Sequence, residues 1–211
     1  MAYPTVSKPY GLKPINLIGG QVFAGSTRNL PITTSTVSYN TALFYGDVVQ
    51  IDATNGTIIK SVLNDESSPV AGVVGVFLGC SYTNPTTGQK LYAQYWPGFA
   101  SGVTDAQAII ADDPDTLFKV VSVGSVADGT GLVPVAVTQA VLGGNAQIVL
   151  NTGNTTTGDS AIGAYVAGTT ATSAALRIVD FVPETATSSG FVELIVKFNF
   201  GYHSYYNATG L

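Results

Sequence analysis

The chain has 211 residues, of which 45% are apolar and only 10% are charged, and its formal net charge is −5. This length allows one large domain or two small ones, and it can bury a sizeable core without disulfides or metals. Charged residues make up about a quarter of a typical globular protein, and here Ser, Thr, Asn and Gly take their place. Such a surface suits a protein that packs against copies of itself or a partner, although a turn-rich all-β protein has a similar composition.

Charge, cysteine content and hydropathy exclude several classes of protein. The basic residues are scattered and form no stripe that could neutralise phosphates, so we expect no direct nucleic-acid binding. The single cysteine, Cys80, excludes an intramolecular disulfide and is expected to be a small buried apolar residue. Prolines near the N-terminus argue against a signal peptide, and Val70–Cys80 is shorter than the roughly 20 residues of a membrane helix. We expect a protein made in a cytoplasm that does not span a membrane.

Residues 1–35 are predicted to form an extended N-terminal arm. Pro4, Pro9 and Pro14 disfavour helix, and a short strand is expected at Gln21–Ala24. A loosely ordered terminus is the alternative, but the segment is too apolar to remain in water. The arm should therefore lie on this domain or on a neighbouring subunit. Its predicted partner-binding residues are Leu12, Ile15, Leu17 and Ile18.

The β domain is predicted to cover residues 36–200, with its centre at Val73–Trp96. This stretch holds the densest aromatic and branched residues, in two runs joined by the turn sequence Asn84–Gly88, and it predicts a hairpin at the core. Before it, Thr41–Ile51 is a predicted strand. Asn55-Gly56 should join that strand to another at Thr57–Val62.

The second half of the domain also has strand patterns. Asp105–Ala111 could be a helix or a strand, and strand is favoured because Asp112-Asp113-Pro114 ends it abruptly. In Phe191–Phe200, a period of two places Val192, Leu194, Val196, Phe198 and Phe200 on one face. Loops are expected at 64–69, 128–131 and 151–159. The remaining predicted strands are Thr116–Val123, Val133–Val141, Ala146–Leu150, Ser160–Val166 and Ala175–Val182.

Together these elements predict an all-β fold, a sandwich or barrel-like domain of about ten to twelve short strands. Two subdomains meeting near residues 100–130 are one possible organisation of this domain. An aromatic C-terminal tail, residues 201–211, follows the last strand. Its tyrosines, Tyr202, Tyr205 and Tyr206, are predicted partner-binding residues, because tyrosine is enriched in interfaces. The alternative is that the tail packs back on its own domain.

Groups that could carry chemistry are few. Gly158-Asp159-Ser160 resembles a serine-hydrolase motif, but the only histidine, His203, does not stand at a matching spacing, so we interpret it as a turn. Asp112, Asp113 and Asp115 could bind an ion, although no calcium-loop pattern is present. One Cys and one His cannot build a usual zinc site. We therefore expect no enzymatic activity, no cofactor and no metal.

Blocks along the whole chain resemble virion structural proteins of marine tailed bacteriophages, of the cyanophage type. They are AYPTVSKPYGLKPINLIGGQVFAGSTRNLPI at the start, FYGDVVQI, GVFLGCSY and DDPDTLFKV in the middle, and VPETATSSGFVELIVKFNFGYHSYYNATG at the end. The GDVV segment and the GNTTTGDS loop are also similar to capsid decoration, or cement, proteins. Such families have no catalytic residues, so the resemblance implies none here.

The resemblance implies a decoration protein on the capsid surface of a virion, made in the cytoplasm of a bacterial host. Its expected partners are the major capsid protein and copies of itself, as a trimer around a threefold position. A tail, neck or fibre component of the virion is the first alternative. The second is a carbohydrate-binding β-sandwich in which Tyr92, Tyr95 and Trp96 form a stacking platform. A major capsid protein is less expected, because the chain is short for that fold and lacks a long helix.

Overall fold

The computed structural model describes residues 6–34, 41–61, 72–98, 102–124, 132–166, 174–186 and 190–206. The all-β prediction is confirmed: within these ranges 45% of the residues are strand, no helix reaches seven residues, and two sheets form, of which one closes into a barrel-like ring. Within the described ranges, no helix is long and apolar enough to cross a membrane. The strands are β1 (Lys13–Leu17), β2 (Arg28–Pro31), β3 (Val48–Ile51), β4 (Ile58–Lys60), β5 (Val73–Thr83), β6 (Lys90–Ala93), β7 (Gln107–Ala111), β8 (Thr116–Val123), β9 (Asn145–Val149), β10 (Gly163–Tyr165), β11 (Leu176–Phe181) and β12 (Glu193–Phe198).

The first sheet, which we call the ring sheet, has the strand order β1-β8-β10-β9-β11-β12, and β12 pairs back with β8. Its pairs are antiparallel except for β10 with β8. Along β8 and β12 the predicted alternation holds, since Phe118 and Val120 face the interior beside Leu194 and Val196. These alternating residues are part of the buried cluster that fills the ring.

The second sheet, which we call the hairpin sheet, has the order β2-β7-β5-β3-β4, with β6 also on β5. The predicted central hairpin is confirmed by the antiparallel register of Cys80 with Ala93 and Thr83 with Lys90. The 11-residue strand β5 is long because β7 covers one edge while β3 and then β6 cover the other. Both faces of β5 are buried, which explains its continuous apolar run.

The two sheets share one core. Val48, Val73, Val76 and Ala111 of the hairpin sheet belong to the same buried cluster as the interior of the ring. The opposite face of the hairpin sheet forms its own cluster around Trp96. The hairpin sheet therefore buries side chains on both of its faces.

One expectation for the arm needs correction. The predicted strand Gln21–Ala24 is only a single bridge between Val22 and Asn16. Strands form instead at β1 and β2, although each contains a proline. Both lie at the edge of a sheet, where a missing backbone donor is tolerated.

Other predicted strands are shorter than expected or absent. Val133–Val141 is not a strand, because Pro134 makes one bridge and a 3₁₀ turn occupies Gln139–Val141. The strand predicted from Thr41 begins only at Val48, after Gly46 at φ 95°. Phe200 does not continue the buried face of β12, because the chain turns after Phe198 and leaves Phe200 82% exposed. The predicted loops at 64–69 and 128–131, and residues 207–211 of the tail, lie outside the described residues.

Three turns share one hydrogen-bonding plan, at residues 52–57, 84–89 and 154–159. In each, the first residue donates its N–H to the last carbonyl, and the glycine at the fifth position donates back to the first carbonyl. The side chains of Asp52, Asn84 and Asn154 each accept the N–H two residues on. Each glycine has positive φ, between 66° and 76°. This repeated local chemistry accounts for some of the Thr, Asn and Gly that replaces charge.

Candidate interaction surface and groove

Two of the predicted partner-binding residues lie in the core. Leu12 and Tyr202 are both buried in the cluster that fills the ring, so they are not available to a partner in this structure. The prediction for these two residues is therefore corrected: they help to anchor the arm and the tail on their own domain. Their outer residues remain exposed.

A contact between two glycines directs the arm onto the ring sheet. Gly11 donates its N–H to the carbonyl of Ile162, and Leu12 donates to the carbonyl of Gly46, at 3.1 and 2.9 Å. Both glycines have positive φ, 79° and 95°. A β-carbon at Gly11 would lie 2.7 Å from the oxygen of Gly46. Close approach of these backbones therefore requires glycine.

The arm continues through β1 into a hairpin with an apolar tip. Leu17 accepts the N–H of Gly20 and donates its own N–H to Gln21, which closes the turn. At the tip, Ile18 is 49% and Val22 is 77% exposed, while Leu17 is half-buried. Ile15 is also exposed. These exposed branched side chains give the arm apolar surface that a partner could cover.

Asp115 brings this tip and the aromatic tail together. Its backbone carbonyl accepts the N–H of Ile18 at 2.9 Å. Its carboxylate accepts the Lys197 ammonium at 3.1 Å and the Tyr206 hydroxyl at 3.4 Å. Arm and tail, at opposite ends of the chain, thus meet in one place. We call the surface formed by Ile18, Asp115, Arg177, Lys197, Phe200, Tyr205 and Tyr206 the arm–tail surface.

A cavity of about 230 Å³ lies within this surface, between aromatic and basic groups. Arg177 stands directly opposite Lys197 in the register of β11 and β12, an arrangement of like charges that is unfavourable. Asp115 neutralises Lys197, whereas Arg177 donates only to the Gly143 carbonyl and the Asn199 amide and has no carboxylate partner among the described residues. The cavity therefore keeps a net positive charge beside the exposed ring of Phe200.

The tail is held to the hairpin sheet by His203, which is buried, and by Tyr205. The Tyr205 hydroxyl donates to Asp112 at 2.7 Å, and Arg28 pairs with the same carboxylate at 3.0 Å. Burial, followed by the bond to Asp112, raises the pKa of Tyr205 to about 12. Burial lowers the pKa of His203, while Asp112 and Asp113 partly oppose this effect. Burial therefore favours the neutral imidazole over the protonated one.

The acidic cluster, Asp112, Asp113 and Asp115, takes part in these contacts. Asp112 pairs with Arg28 and accepts the Tyr205 hydroxyl, and Asp113 accepts the N–H of Asp115. Asp115 in turn accepts hydrogen bonds from Lys197 and Tyr206. In the part of the chain that the structure describes, no group of three His, Cys, Asp or Glu side chains could hold a metal ion. The cluster therefore has a structural role in fastening the tail.

Ser160, the candidate nucleophile of the Gly-Asp-Ser motif, is buried. Its hydroxyl donates to Asp47 at 2.6 Å and accepts the N–H of Ile162 at 3.2 Å. Asp47 is fully buried, also accepts the Phe44 N–H and pairs with Lys60. The Ser160 hydroxyl therefore stabilises the junction between the sheets and does not face solvent.

A larger groove of about 430 Å³ lies where β1 and the 154–159 turn meet the hairpin. The proposed stacking platform is corrected in part here. Trp96 is only 1% exposed and packs edge-on against Tyr82, and Tyr95 stacks on Phe44. Tyr92, by contrast, is 79% exposed and lines the groove.

The groove combines an apolar floor with a polar wall. Cys80 lies in the floor, and burial raises the pKa of its thiol to about 12, so it stays protonated. In the wall, Asp159 accepts a hydrogen bond from Gln94 at 3.3 Å and lies 3.6 Å from the Lys13 ammonium. Burial, followed by the charge of Asp159, raises the pKa of Tyr45 beside them. No group in this set is arranged as a nucleophile with a base.

Comparison of the chain with protein-family models, with curated proteins and with solved structures finds no match. The geometry therefore has to carry any functional conclusion. Sequence reasoning found the arm and the tail separately, but it missed Asp115 as the residue that joins them. It also missed the pair Arg177 and Lys197, because only the register of β11 and β12 makes them neighbours.

Proposed function

We propose that this chain is a non-enzymatic structural protein of a phage virion, a capsid decoration protein that binds the major capsid protein lattice through the arm–tail surface. One observation carries the proposal: the apolar hairpin tip and the aromatic tail converge at Asp115 and remain exposed. The resemblance along the whole chain supports the same assignment. The protein acts on the capsid surface after synthesis in the bacterial host.

The chemistry of the arm–tail surface is that of a protein interface. Aromatic residues and arginine are enriched at interface centres, and a few of them supply most of the binding energy. Phe200, Tyr205 and Tyr206 provide such rings, and Arg177 provides an uncompensated cation among the described groups. A complementary segment of the partner would place an apolar side chain against Phe200 and a carboxylate against Arg177.

Low overall charge fits a protein that works within an assembly. With 10% charged residues, copies of the chain repel one another weakly when they are placed side by side. We propose that copies form trimers around threefold positions of the lattice. Contacts with neighbouring capsid subunits then stabilise the shell by linkage, because they bind only the assembled state.

The test uses point variants and avoids truncation. Removing residues 1–20 would delete β1 and Leu12, so loss of binding could reflect a damaged core. The double variant Ile18→Ser/Phe200→Ser changes only exposed side chains. Val133→Ser is the matched control, because Val133 is exposed. Its carbonyl accepts the N–H of Gly124, which follows the end of β8 that lies away from Asp115.

Co-sedimentation with phage capsids stripped of this protein provides the measurement. We expect wild type and Val133→Ser to bind, and the double variant to lose at least tenfold in affinity while its circular dichroism spectrum is unchanged, as expected for interface anchors. Equal binding of all three proteins would exclude the arm–tail surface as the interface. Wild-type binding to isolated tails and not to capsids would assign the chain to the tail instead.

A further inference from the structure

We propose that the groove lined by Lys13, Tyr45, Tyr92, Gln94 and Asp159 binds a neutral oligosaccharide, with a sugar ring stacked on Tyr92. This site shares no residue with the arm–tail surface and does not depend on capsid binding. Its volume of about 430 Å³ lies within the range of about 300–1,000 Å³ typical of small-molecule sites.

Tyr92 supplies the stacking surface. It pairs with Ser81 across the hairpin, so its backbone is fixed by β5 and β6, yet the side chain is 79% exposed. An exposed aromatic ring on a rigid strand offers an apolar face at low entropic cost. The carbon–hydrogen face of a pyranose ring is the ligand surface that such a ring accommodates without desolvating its hydroxyl groups.

The polar wall selects for hydroxyl groups. Asp159 accepts, Lys13 donates, and Gln94 and Tyr45 can do both. Because the raised pKa of Tyr45 keeps its phenol protonated, this group remains a donor across the ordinary pH range. Several donors and acceptors side by side match the alternating hydrogen-bonding capacity of sugar hydroxyls.

The charges of the groove argue for a neutral ligand. Lys13 and Asp159 lie 3.6 Å apart and largely cancel. An anionic ligand would approach Asp159, and a cationic one would approach Lys13, each at an electrostatic cost. A neutral sugar interacts favourably with both groups.

The polar wall is also preorganised. Asp159 ends the 154–159 turn, and backbone bonds from Tyr45 to Gly158 and from Ser160 to Tyr45 fix its position, both at 2.9 Å. A β-carbon at Gly158 would lie 3.3 Å from the Gln94 side chain, so the glycine leaves room for this amide. Groups held in this way lose little entropy on binding.

The experiment screens wild-type protein on an array of neutral oligosaccharides of glucose, galactose and mannose and of their uronic acid counterparts. Hits are then measured by titration calorimetry. We expect a neutral oligosaccharide to bind, and Tyr92→Ala and Asp159→Asn to weaken binding at least tenfold. Tyr206→Ala, which removes an exposed tyrosine from the arm–tail surface, should bind as wild type does.

Three results would overturn the proposal: no neutral oligosaccharide binds, only acidic ones bind, or Tyr92→Ala binds as tightly as wild type. Tyr92→Ala is also assayed for capsid co-sedimentation. Retained capsid binding with lost sugar binding separates this site from the decoration function. Failure of both in wild type would count against both proposals independently.

Discussion

The position of the arm depends on a contact between Gly11 and Gly46. Each has a backbone conformation that L side chains rarely adopt. A β-carbon added to either glycine would also crowd the backbone of the segment that contains the other glycine. Both the local backbone conformation and the close packing therefore require glycine at these two positions. The strain can be separated from the clash by comparing Gly11 with Gly20, whose φ is 81° but whose surroundings are open.

We expect Gly11→Ala to cost about 2–6 kcal/mol of unfolding free energy, because positive φ and overpacking each cost about 1–3 kcal/mol. Gly20→Ala should lose only the conformational part, about 1–3 kcal/mol. Urea unfolding followed by circular dichroism measures both values. Equal losses in the two variants would show that the contact with Gly46 contributes nothing beyond backbone strain.

At this scale, sequence reasoning identified residue chemistry better than residue position. It expected Cys80 to be buried and apolar, and the structure confirms this. It placed Leu12 at an interface, because prolines hide the strand period that would have shown which side chains face inward. It placed Phe200 on the buried face, because the alternation continues to Phe200 although the chain turns before it.

The C-terminal tail is attached to the domain through several contacts of His203. His203 bridges to Val73, accepts the Tyr205 N–H with its Nδ1 atom and packs against Phe198. Asp112 and Asp113 are the carboxylates whose charges act on its pKa, and Tyr205 and Tyr206 lie beside its ring. The tail thus places the chain's only histidine in a buried site.

This burial predicts a pH dependence of stability. Because the pKa of folded His203 is lowered from 6.5, the unfolded chain binds the proton more readily. The stabilisation is complete above about pH 7.5 and should decrease as pH falls through about 6.5, by at most about 1.4 kcal/mol per pH unit. Urea midpoints at pH 7.5, 6.5 and 5.5 test this expectation.

His203→Gln is the control for this prediction, because glutamine keeps an acceptor for Tyr205 and does not titrate. Its stability should be lower at pH 7.5 but flat over the same range, since the usual carboxylate pKa values lie below pH 5. A wild-type slope that persists in His203→Gln would assign the pH dependence to another group.

Elements with a clear period were predictable, and the others were not. The prediction of β8 matches its observed bounds, and that of β7 is correct in type. The failure at Val133–Val141 has a local cause: valines there suggested a strand, but Pro134 interrupts pairing and the segment covers the ring as a turn. The segments of β1 and β2 were predicted only as parts of an extended arm, because prolines exclude helix but do not identify a pairing strand, and only the sheet topology shows that both are edges.

On the scale of the whole molecule, the shared core decides how the protein unfolds. Residues of both sheets fill one buried cluster, so neither sheet can unfold without exposing apolar side chains of the other. The alternation pattern predicted strands but not which sheet each one joins, since pairing between distant strands is set by packing and not by local sequence. The arm contributes one strand to each sheet, which no local signal indicated.

We expect a single unfolding transition. Trp96, the only tryptophan, lies in the cluster on the outer face of the hairpin sheet, so its fluorescence reports on that sheet. Far-UV circular dichroism reports on both sheets. The two curves should coincide in urea, as two-state unfolding requires. Two separated transitions would instead support two subdomains meeting near residues 100–130.

The sheet topology also determines the order of events during synthesis. Lys13 of β1 pairs with Lys119 of β8, so β1 can pair only after more than a hundred further residues have been synthesised. At the usual rate of translation this takes about 5–20 s. Until β8 has been made, β1 has no strand to pair with in the nascent chain. The ring closes only when β12, the last of the described strands in chain order, reaches β8. A ribosome-bound fragment that ends before residue 193 should therefore present an open ring to chaperones, and release of the last strand completes the fold.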